Sequence, residues 1–262
     1  MAKKHIKLFF IFFLLIFIAG ASAAYFWISP QYVVPIMMYH QVEAIDHHEA
    51  NWVQPVHFEQ QMEYLSRYKY NVISLSELID TIGQNKVLPR NTVVITFDDG
   101  YKNNYTNAFP ILKKYQFPAT VFMPSDKVGL EGRLSYKEIQ EMLAHHVDFG
   151  SHTRTESYLP DLDKEQWVKE IEQSKNILDQ LLGKNIDLFA YPIGGFSNEI
   201  KQLVKDSGYK GACTTNRGYD RYNRDVYELN RIRFSSKDDS SFVLWAKLSG
   251  YYNLFRKLKN PQ

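Results

Sequence analysis

Two adjacent aspartates, Asp98 and Asp99, follow an apolar stretch in the segment TVVITFDDGYK. Residues 92–97 have the composition of a buried strand in a parallel sheet. Carboxylates placed directly after such a strand repel each other and are costly to bury unpaired. A divalent cation held by one carboxylate and an imidazole would offset that cost. The other carboxylate could then act as a base on a metal-bound water, whose pKa the cation lowers.

Other polar residues also follow predicted strands. His152 ends a strand in DFGSHTRTE, His40 ends the first strand, and the turn YPIGG at 191–195 ends another. Taken singly, such a histidine is more often structural than a ligand, and Asp-Asp-Gly or Pro-Gly segments are often ordinary turns. Their shared position after strands favours a common site.

Strand-like and helix-like segments alternate along the chain. Repeated βα units of this length predict an α/β protein with a parallel sheet, open or closed into a barrel, and seven or eight strands favour the barrel. In such barrels the chemistry gathers at the carboxyl ends of the strands. The predicted strands are Val33–Tyr39, Asn71–Leu75, Thr92–Phe97, Ala119–Met123, Val147–Ser151, Asp187–Tyr191, Gly211–Thr215 and Glu228–Phe234. The predicted helices are His57–Tyr68, Ser76–Gly83, Asn107–Tyr115, Tyr136–Ala144, Lys164–Leu182 and Asn198–Ser207.

The N-terminus has the features of an export segment. The basic MAKKHIK precedes an uncharged apolar run of 21 residues, Leu8–Ile28, close to the ~20 residues that span a bilayer. The positive end is expected inside, and Ala21–Ala23 offers a small-residue cleavage site. We predict a signal peptide or membrane anchor over 1–29, favouring the anchor because the run is long for a signal core. Residues 30–262 then form one domain, which either lies on the extracellular face of the membrane or is secreted.

Composition agrees with one globular domain. The chain has 262 residues, 45% of them apolar and 23% charged, which is enough to bury a sizeable core. A single cysteine, Cys213, excludes an intrachain disulfide and a cysteine metal cage. The net charge of +2 falls to −1 without residues 1–23, which carry three lysines and no acid. The basic pI therefore gives no sign of nucleic-acid binding, and we expect a monomer.

The motifs TFDDGY, GSHT and AYPIGG, in this order and spacing, resemble the NodB-type polysaccharide deacetylases of carbohydrate esterase family 4. The leading PIMMYHQV resembles the branch that includes exported poly-N-acetylglucosamine deacetylases of biofilm matrices. The likeness covers roughly residues 33–235. It implies a distorted (β/α)7-type barrel that removes acetyl groups from an N-acetylated glycan polymer. It also implies one divalent metal ion, for which zinc is favoured and nickel, cobalt and manganese are the alternatives.

The resemblance assigns roles by position. Asp98 corresponds to the general base, and Asp99 and His152 correspond to two metal ligands. The backbone N–H of Ile193 falls where the family stabilises the oxyanion. The chain has no histidine after His152, so His40 takes the role of general acid by likeness to the biofilm branch, because an amine leaves poorly unless protonated.

Two departures from the family leave alternatives open. The third ligand is usually a histidine about four residues after the first, and Glu156 stands there. Glutamate can ligate zinc, but its charge could weaken water activation, or the site could have lost its metal. The arginine usual before the YPxG turn is absent, and Arg231 either orients Asp98 or forms a structural salt bridge.

These observations predict an exported metal-dependent polysaccharide N-deacetylase. The alternatives are a glycan-binding pseudoenzyme on the same fold and an anchored hydrolase of a non-sugar amide. The remaining histidines near the motifs are expected to be solvated: His47, His48, His145 and His146. The segment FVLWAKLSGYYNLFRKLK is expected to pack as a last barrel helix, with a membrane-surface helix as the alternative.

Overall fold

The computed structural model describes residues 2–44 and 51–261. Its strands are β1 (Ile36–Tyr39), β2 (Gln41–Val42), β3 (Trp52–Val53), β4 (Asn71–Ile73), β5 (Thr92–Phe97), β6 (Ala119–Met123), β7 (Val147–Ser151), β8 (Leu188–Ala190), β9 (Gly211–Cys213) and β10 (Ile232–Arg233). Its α-helices are α1 (Ala2–Ile28), α2 (Pro55–Arg67), α3 (Leu75–Gly83), α4 (Phe109–Tyr115), α5 (Tyr136–Leu143), α6 (Lys164–Val168), α7 (Ser174–Leu182), α8 (Asn198–Asp206), α9 (Ser241–Leu248) and α10 (Tyr252–Phe255).

The main sheet curls into a distorted (β/α)7-type barrel, as predicted. Its strands are parallel in the order β10-β1-β5-β6-β7-β8-β9, and β4 also pairs with β5. The segment before β10 lies against β9, where the Leu229 N–H donates to the Ala212 carbonyl at 3.0 Å. One stretch of chain therefore connects the β9 side of the sheet to β1.

The structure differs from the predicted elements in several places. The helix predicted from Asn107 begins at Phe109, after a π-helical turn at Asn104–Ala108. Of the predicted strand 228–234, only Ile232–Arg233 pairs as a strand. The helix predicted over Lys164–Leu182 contains a π-helical turn at Lys169–Gln173, which the 3.6-residue pattern does not reveal. The small parallel pair of β2 and β3 was not predicted, because each is only two residues long.

Strand alternation decides which side chains enter the barrel. Val94 and Phe122 pack together in one buried cluster, whereas Ile95 belongs to the cluster that includes the surrounding helices. Gly150 leaves room for the Phe122 ring, since a Cβ there would lie 2.6 Å from it. Asp98 has the same parity as Val94, so the alternation turns its carboxylate inward.

The N-terminal helix joins the barrel through a short, bonded junction. Residues Phe9–Gln31 are long and apolar enough to cross a membrane, by length and composition, and none of this window is buried. The Val33 N–H donates to the Gly250 carbonyl at 2.8 Å, and Arg90 donates to Ser29. The helix therefore enters the amino end of β1 without a free linker.

The C-terminal region packs along the barrel. Helix α9 buries Leu244 and Leu248, while Trp245 is exposed. Beyond α10, the chain runs beside the carboxyl-end loops, where the Lys259 N–H donates to the Asn216 carbonyl at 2.9 Å. We refer to residues 256–261 as the C-terminal strap.

Candidate active site

Asp98 is held by a buried arginine. Its two carboxylate oxygens accept hydrogen bonds from Arg231, at 2.6 Å from Nη1 and 2.7 Å from Nη2. The arginine is fully buried, and its Nε donates to the Thr214 carbonyl at 2.9 Å. Its guanidinium lies 5.4 Å from the Phe122 ring centroid inside the barrel. A two-pronged pair of this kind fixes both the position and the plane of the carboxylate.

This pairing decides the charge of Asp98. Burial alone would raise its pKa, but Arg231, followed by His152 and His40, lowers the pKa to about 2. The carboxylate is therefore ionised at neutral pH. Since each oxygen retains a further lone-pair site, Asp98 can still accept a proton.

Asp99 and His152 face each other across the mouth of the barrel. His152 Nε2 lies 3.5 Å from Asp99 Oδ1. His152 Nδ1 lies 2.8 Å from the Ala190 carbonyl, so Nδ1 carries the hydrogen and Nε2 keeps its lone pair. Burial lowers the pKa of His152 and keeps the ring neutral. For Asp99, burial and then the Asp98 and Glu156 charges raise the pKa to about 8.

Glu156 lies beside Asp99 but is engaged by cations. Its Oε2 is 2.5 Å from Lys127 Nζ and 3.5 Å from Arg133 Nη2. Its loop is braced by Glu170, whose carboxylate accepts the Thr155 N–H at 2.9 Å. Glu170 comes from the π-helical turn, a feature often found near functional sites.

Asp99 and His152 have features of a divalent-ion site. A neutral imidazole whose other nitrogen donates to a carbonyl, next to an acidic oxygen, is the arrangement that metal-binding histidines adopt. Asp99 and His152 fit in this respect. In the conformation of residues 2–44 and 51–261, no three His, Cys, Asp or Glu side chains converge as a metal cluster. Glu156, the third candidate ligand, pairs with Lys127 through Oε2 in this conformation.

His40 follows β1 and also enters the site. Burial lowers its pKa to about 4, although the Asp98 charge acts in the opposite direction. Its Nδ1 is buried, with no hydrogen-bond partner among the described residues. The backbone is held by Asn104, whose side-chain amide donates to the His40 carbonyl at 2.7 Å. The ring is therefore neutral at neutral pH and has an unused polar atom.

The turn after β8 is strained at Ile193. This β-branched residue has φ 58° and ψ 0°, in the left-handed region that such side chains rarely adopt. The turn is held by Gly194, whose N–H donates to the Tyr191 carbonyl at 2.9 Å. Among the described residues, none accepts the Ile193 N–H. An available amide at a strained position is the kind of donor that binds a developing negative charge.

Left-handed backbone recurs throughout the site. Positive φ angles occur at Asp99 (72°), Thr153 (65°) and Glu156 (72°) as well as at Ile193. Such conformations cost of order 1–3 kcal/mol each and persist only where the surroundings impose them. The barrel therefore holds its polar groups at some conformational cost.

A cavity of about 290 Å³ brings the predicted residues together. It is lined by His40, Asp98, Asp99, His152, Glu156 and Ile193. Arg231 is not on the surface of this cavity and reaches it through Asp98. Three cations on the cavity wall were not predicted from the sequence: Arg217, Arg233 and Lys259. Arg233 could have been found, because it lies two residues after Arg231 and shares its parity.

Of the histidines in residues 2–44 and 51–261, only His40 and His152 line the cavity. His145 and His146 are exposed, as expected. His47 and His48 lie outside the described residues. His145 Nδ1 lies 2.9 Å from the Glu141 carbonyl at the end of α5, a local helix-end contact.

The chain resembles known proteins in sequence and in fold. A family model described as polysaccharide deacetylase matches residues 85–212. The chain is 31% identical over 202 residues to YxkH of Bacillus subtilis (strain 168), assigned by its name to the polysaccharide deacetylases, covering 77% of this chain and 71% of that protein. It is 31% identical over 193 residues to the poly-beta-1,6-N-acetyl-D-glucosamine N-deacetylase of Staphylococcus epidermidis, covering 68% of this chain and 66% of that protein. The structure of the Streptococcus pyogenes deacetylase PplD in complex with acetate superposes with a TM-score of 0.73 at 28% identity, covering 86% of this chain and 98% of that one.

Proposed function

This chain belongs to the polysaccharide deacetylase family, and we propose that it is an exported, metal-dependent N-deacetylase of glycans containing N-acetylglucosamine. The observation that carries the proposal is the corner where Asp98, fixed and ionised by Arg231, stands next to the facing pair Asp99 and His152. Such a corner provides a base and a cation site side by side. The named activity of the Staphylococcus epidermidis relative supports poly-β-1,6-N-acetylglucosamine as the first substrate to test.

Each residue has one task in this proposal. Asp99 and His152, joined by Glu156, would hold the divalent ion, which when bound lowers the pKa of a water molecule and polarises the acetamide carbonyl. Asp98 accepts the proton that the attacking water loses. The Ile193 N–H donates to the oxygen that becomes negative. His40 supplies a proton to the leaving amine.

The low pKa of His40 restricts how it can act as an acid. At neutral pH the free protein holds the ring neutral, so His40 must take up a proton before it can act as an acid, and the imidazolium then gives that proton to the leaving nitrogen. The proton collected by Asp98 meets that demand: water adds to the acetamide, the C–N bond breaks, and the products are acetate and a protonated amine. The neighbouring Asp98 charge favours the imidazolium and lowers the cost of that transfer.

One contact favours the competing function, a glycan-binding pseudoenzyme. Lys127 holds Glu156 at 2.5 Å, and a cation that stayed there would substitute for part of the metal charge. The two functions differ in a measurable way. An enzyme requires Glu156 or another donor to complete the metal site, whereas a pseudoenzyme binds glycan equally well with and without metal.

The test is acetate release by the purified full chain from acetylated β-1,6-glucosamine oligomers. The protein is assayed after metal removal and after reloading with zinc, nickel, cobalt or manganese. We expect metal-dependent release, abolished in Asp98→Asn with metal content unchanged. Glycan binding without acetate release under any metal condition would establish the pseudoenzyme instead.

A further inference from the structure

The cavity wall formed by the carboxyl end of β10, the loop after β9 and the C-terminal strap carries a surplus of positive charge. We propose that the site takes an anionic glycan, with a carboxylate or phosphodiester near the reactive acetamide, bound by Arg217, Arg233 and Lys259. This inference rests on the proposed function, because it names the class of substrate for the same site. Neither the motifs nor the relatives' names specify such a charge.

Cations outnumber carboxylates around the cavity. Two of the three carboxylates that line it have cations of their own: Asp98 pairs with Arg231, and Glu156 contacts Lys127 and Arg133. The third, Asp99, faces His152. Within residues 2–44 and 51–261, Arg217, Arg233 and Lys259 form no ion pair with an Asp or Glu.

Hydrogen bonds and strand pairing hold the cavity wall in place. Arg217 donates from Nη1 to the Asn260 carbonyl at 2.5 Å. Asn216 accepts the Lys259 N–H at 2.9 Å and donates to the Lys257 carbonyl at 3.2 Å. The backbone of Arg233 is held by β10 pairing with β1, where it is in register with Met38. These contacts hold the Arg217 guanidinium and the backbones of Arg233 and Lys259 at the cavity wall.

A cationic wall distinguishes between glycans by their charge. A neutral acetylated glycan has no charge to pair with it, and a glycan rich in free amines is repelled. An anionic group pairs with the wall and offsets the mutual repulsion of the cations. A bound divalent ion would add positive charge, so the surplus persists in the metal-loaded protein. An anionic substituent is therefore the feature of a substrate that this wall selects.

The experiment compares three oligosaccharides of equal length with the metal-loaded full chain. One is neutral acetylated β-1,6-glucosamine, one carries carboxylates as lactyl ethers, and one is joined by phosphodiesters. We expect the kcat/KM for acetate release to be at least about tenfold higher for one anionic oligosaccharide at low salt. This preference should shrink as salt screens the wall. The two anionic arms identify which group is recognised.

Variants of the wall cations test whether these residues cause the preference for an anionic oligosaccharide. Lys259→Gln and Arg233→Gln should each lower the anionic-to-neutral ratio of kcat/KM about threefold to tenfold, mainly through KM, as expected for a lost charge-assisted contact. Arg233 also lowers the pKa of His40, so its replacement could alter the chemical step, and Lys259→Gln is the cleaner variant. Lys86→Gln, in the loop before β5 at the opposite end of the barrel, should leave the ratio unchanged.

Failure of this inference is distinguishable from failure of the proposed function. Equal kcat/KM for neutral and anionic oligosaccharides, or a ratio unchanged in Lys259→Gln, would overturn the inference while leaving the deacetylase intact. If no oligosaccharide releases acetate, calorimetric binding decides. Tighter binding of an anionic oligosaccharide that weakens in Lys259→Gln would support the wall without the activity, and equal binding of all three would refute it.

Discussion

Replacing the buried Arg231 should lower the free energy of unfolding more than replacing a charged residue at the surface. In Arg231→Met, a side chain of similar length fills the barrel but leaves Asp98 without its cation. The side chains of the pair are 0% and 4% exposed, so solvent cannot compensate. Breaking a buried pair by removing one partner costs about 3–5 kcal/mol. The lost hydrogen bonds to Thr214 and Thr96 place the expected loss at the upper end of that range.

The assay is urea unfolding at pH 7 with a chelator present, because bound metal would add its own folding energy. The matched control is Arg154→Met, which breaks an Arg–Asp pair whose side chains are each 34% exposed and should cost at most about 1 kcal/mol. The double variant Asp98→Asn/Arg231→Met removes the stranded charge and should recover about 2–3 kcal/mol relative to Arg231→Met.

The pH dependence gives a second readout. In the wild type the pKa of Asp98 is lowered to about 2. The pairing therefore stabilises the fold above the unfolded carboxyl pKa of about 3.9, and this contribution is lost as the pH falls through about 2. In Arg231→Met, burial should raise that pKa, and acidification toward pH 4 should narrow the gap to wild type. A loss no larger than that of Arg154→Met, or a double variant no more stable than Arg231→Met, would refute this reasoning.

Three further predictions concern the proposed metal ligands and acid. Asp99→Ala should lose the near-stoichiometric divalent metal that elemental analysis is expected to find in the wild type; full retention would exclude Asp99 as a ligand. Glu156→His should keep metal and shift the preference toward zinc, whereas Glu156→Ala should lower metal affinity in a titration; unchanged affinity would remove this residue from the site. His40→Ala should reduce turnover by about 10²- to 10⁴-fold with metal content intact. An accompanying loss of metal or a lower Tm would indicate a structural role.

The parts of the site that the sequence predicts are those set by strand ends. Asp98, His152 and Ile193 follow apolar runs, and parallel strands bring their carboxyl ends to one rim regardless of how the helices pack. Because side chains alternate between the two faces of a strand, the position of the first residue after each run decides whether its side chain points into the barrel or away from it. Local pattern and topology therefore bring Asp98, His152 and the YPIGG turn to one rim, whereas the choice of Ile193 within that turn came from the family resemblance.

The remaining parts depend on contacts that no local pattern encodes. Lys127 and Arg133 approach Glu156 from a loop after β6, and nothing in their own neighbourhood signals that pairing. Lys259 joins the wall only because the strap bonds to Asn216, 43 positions earlier in the chain. Charged side chains on loops follow no periodic sequence pattern, so their partners cannot be predicted from the sequence and are seen only in the folded chain.

The hydrogen-bonded junction at Ser29–Val33 limits how far the cavity can lie from a membrane. If α1 remains in a bilayer, no flexible linker lets the domain move away from the membrane, because Val33 is already hydrogen-bonded to Gly250. The junction is at the amino end of β1 and the cavity is at the carboxyl ends of the strands. A strand of six residues such as β5 spans only about 20 Å at ~3.3 Å per residue. The opening would then stand at a nearly constant height of that order above the lipid surface, and only polymer segments passing through that shallow layer would meet it.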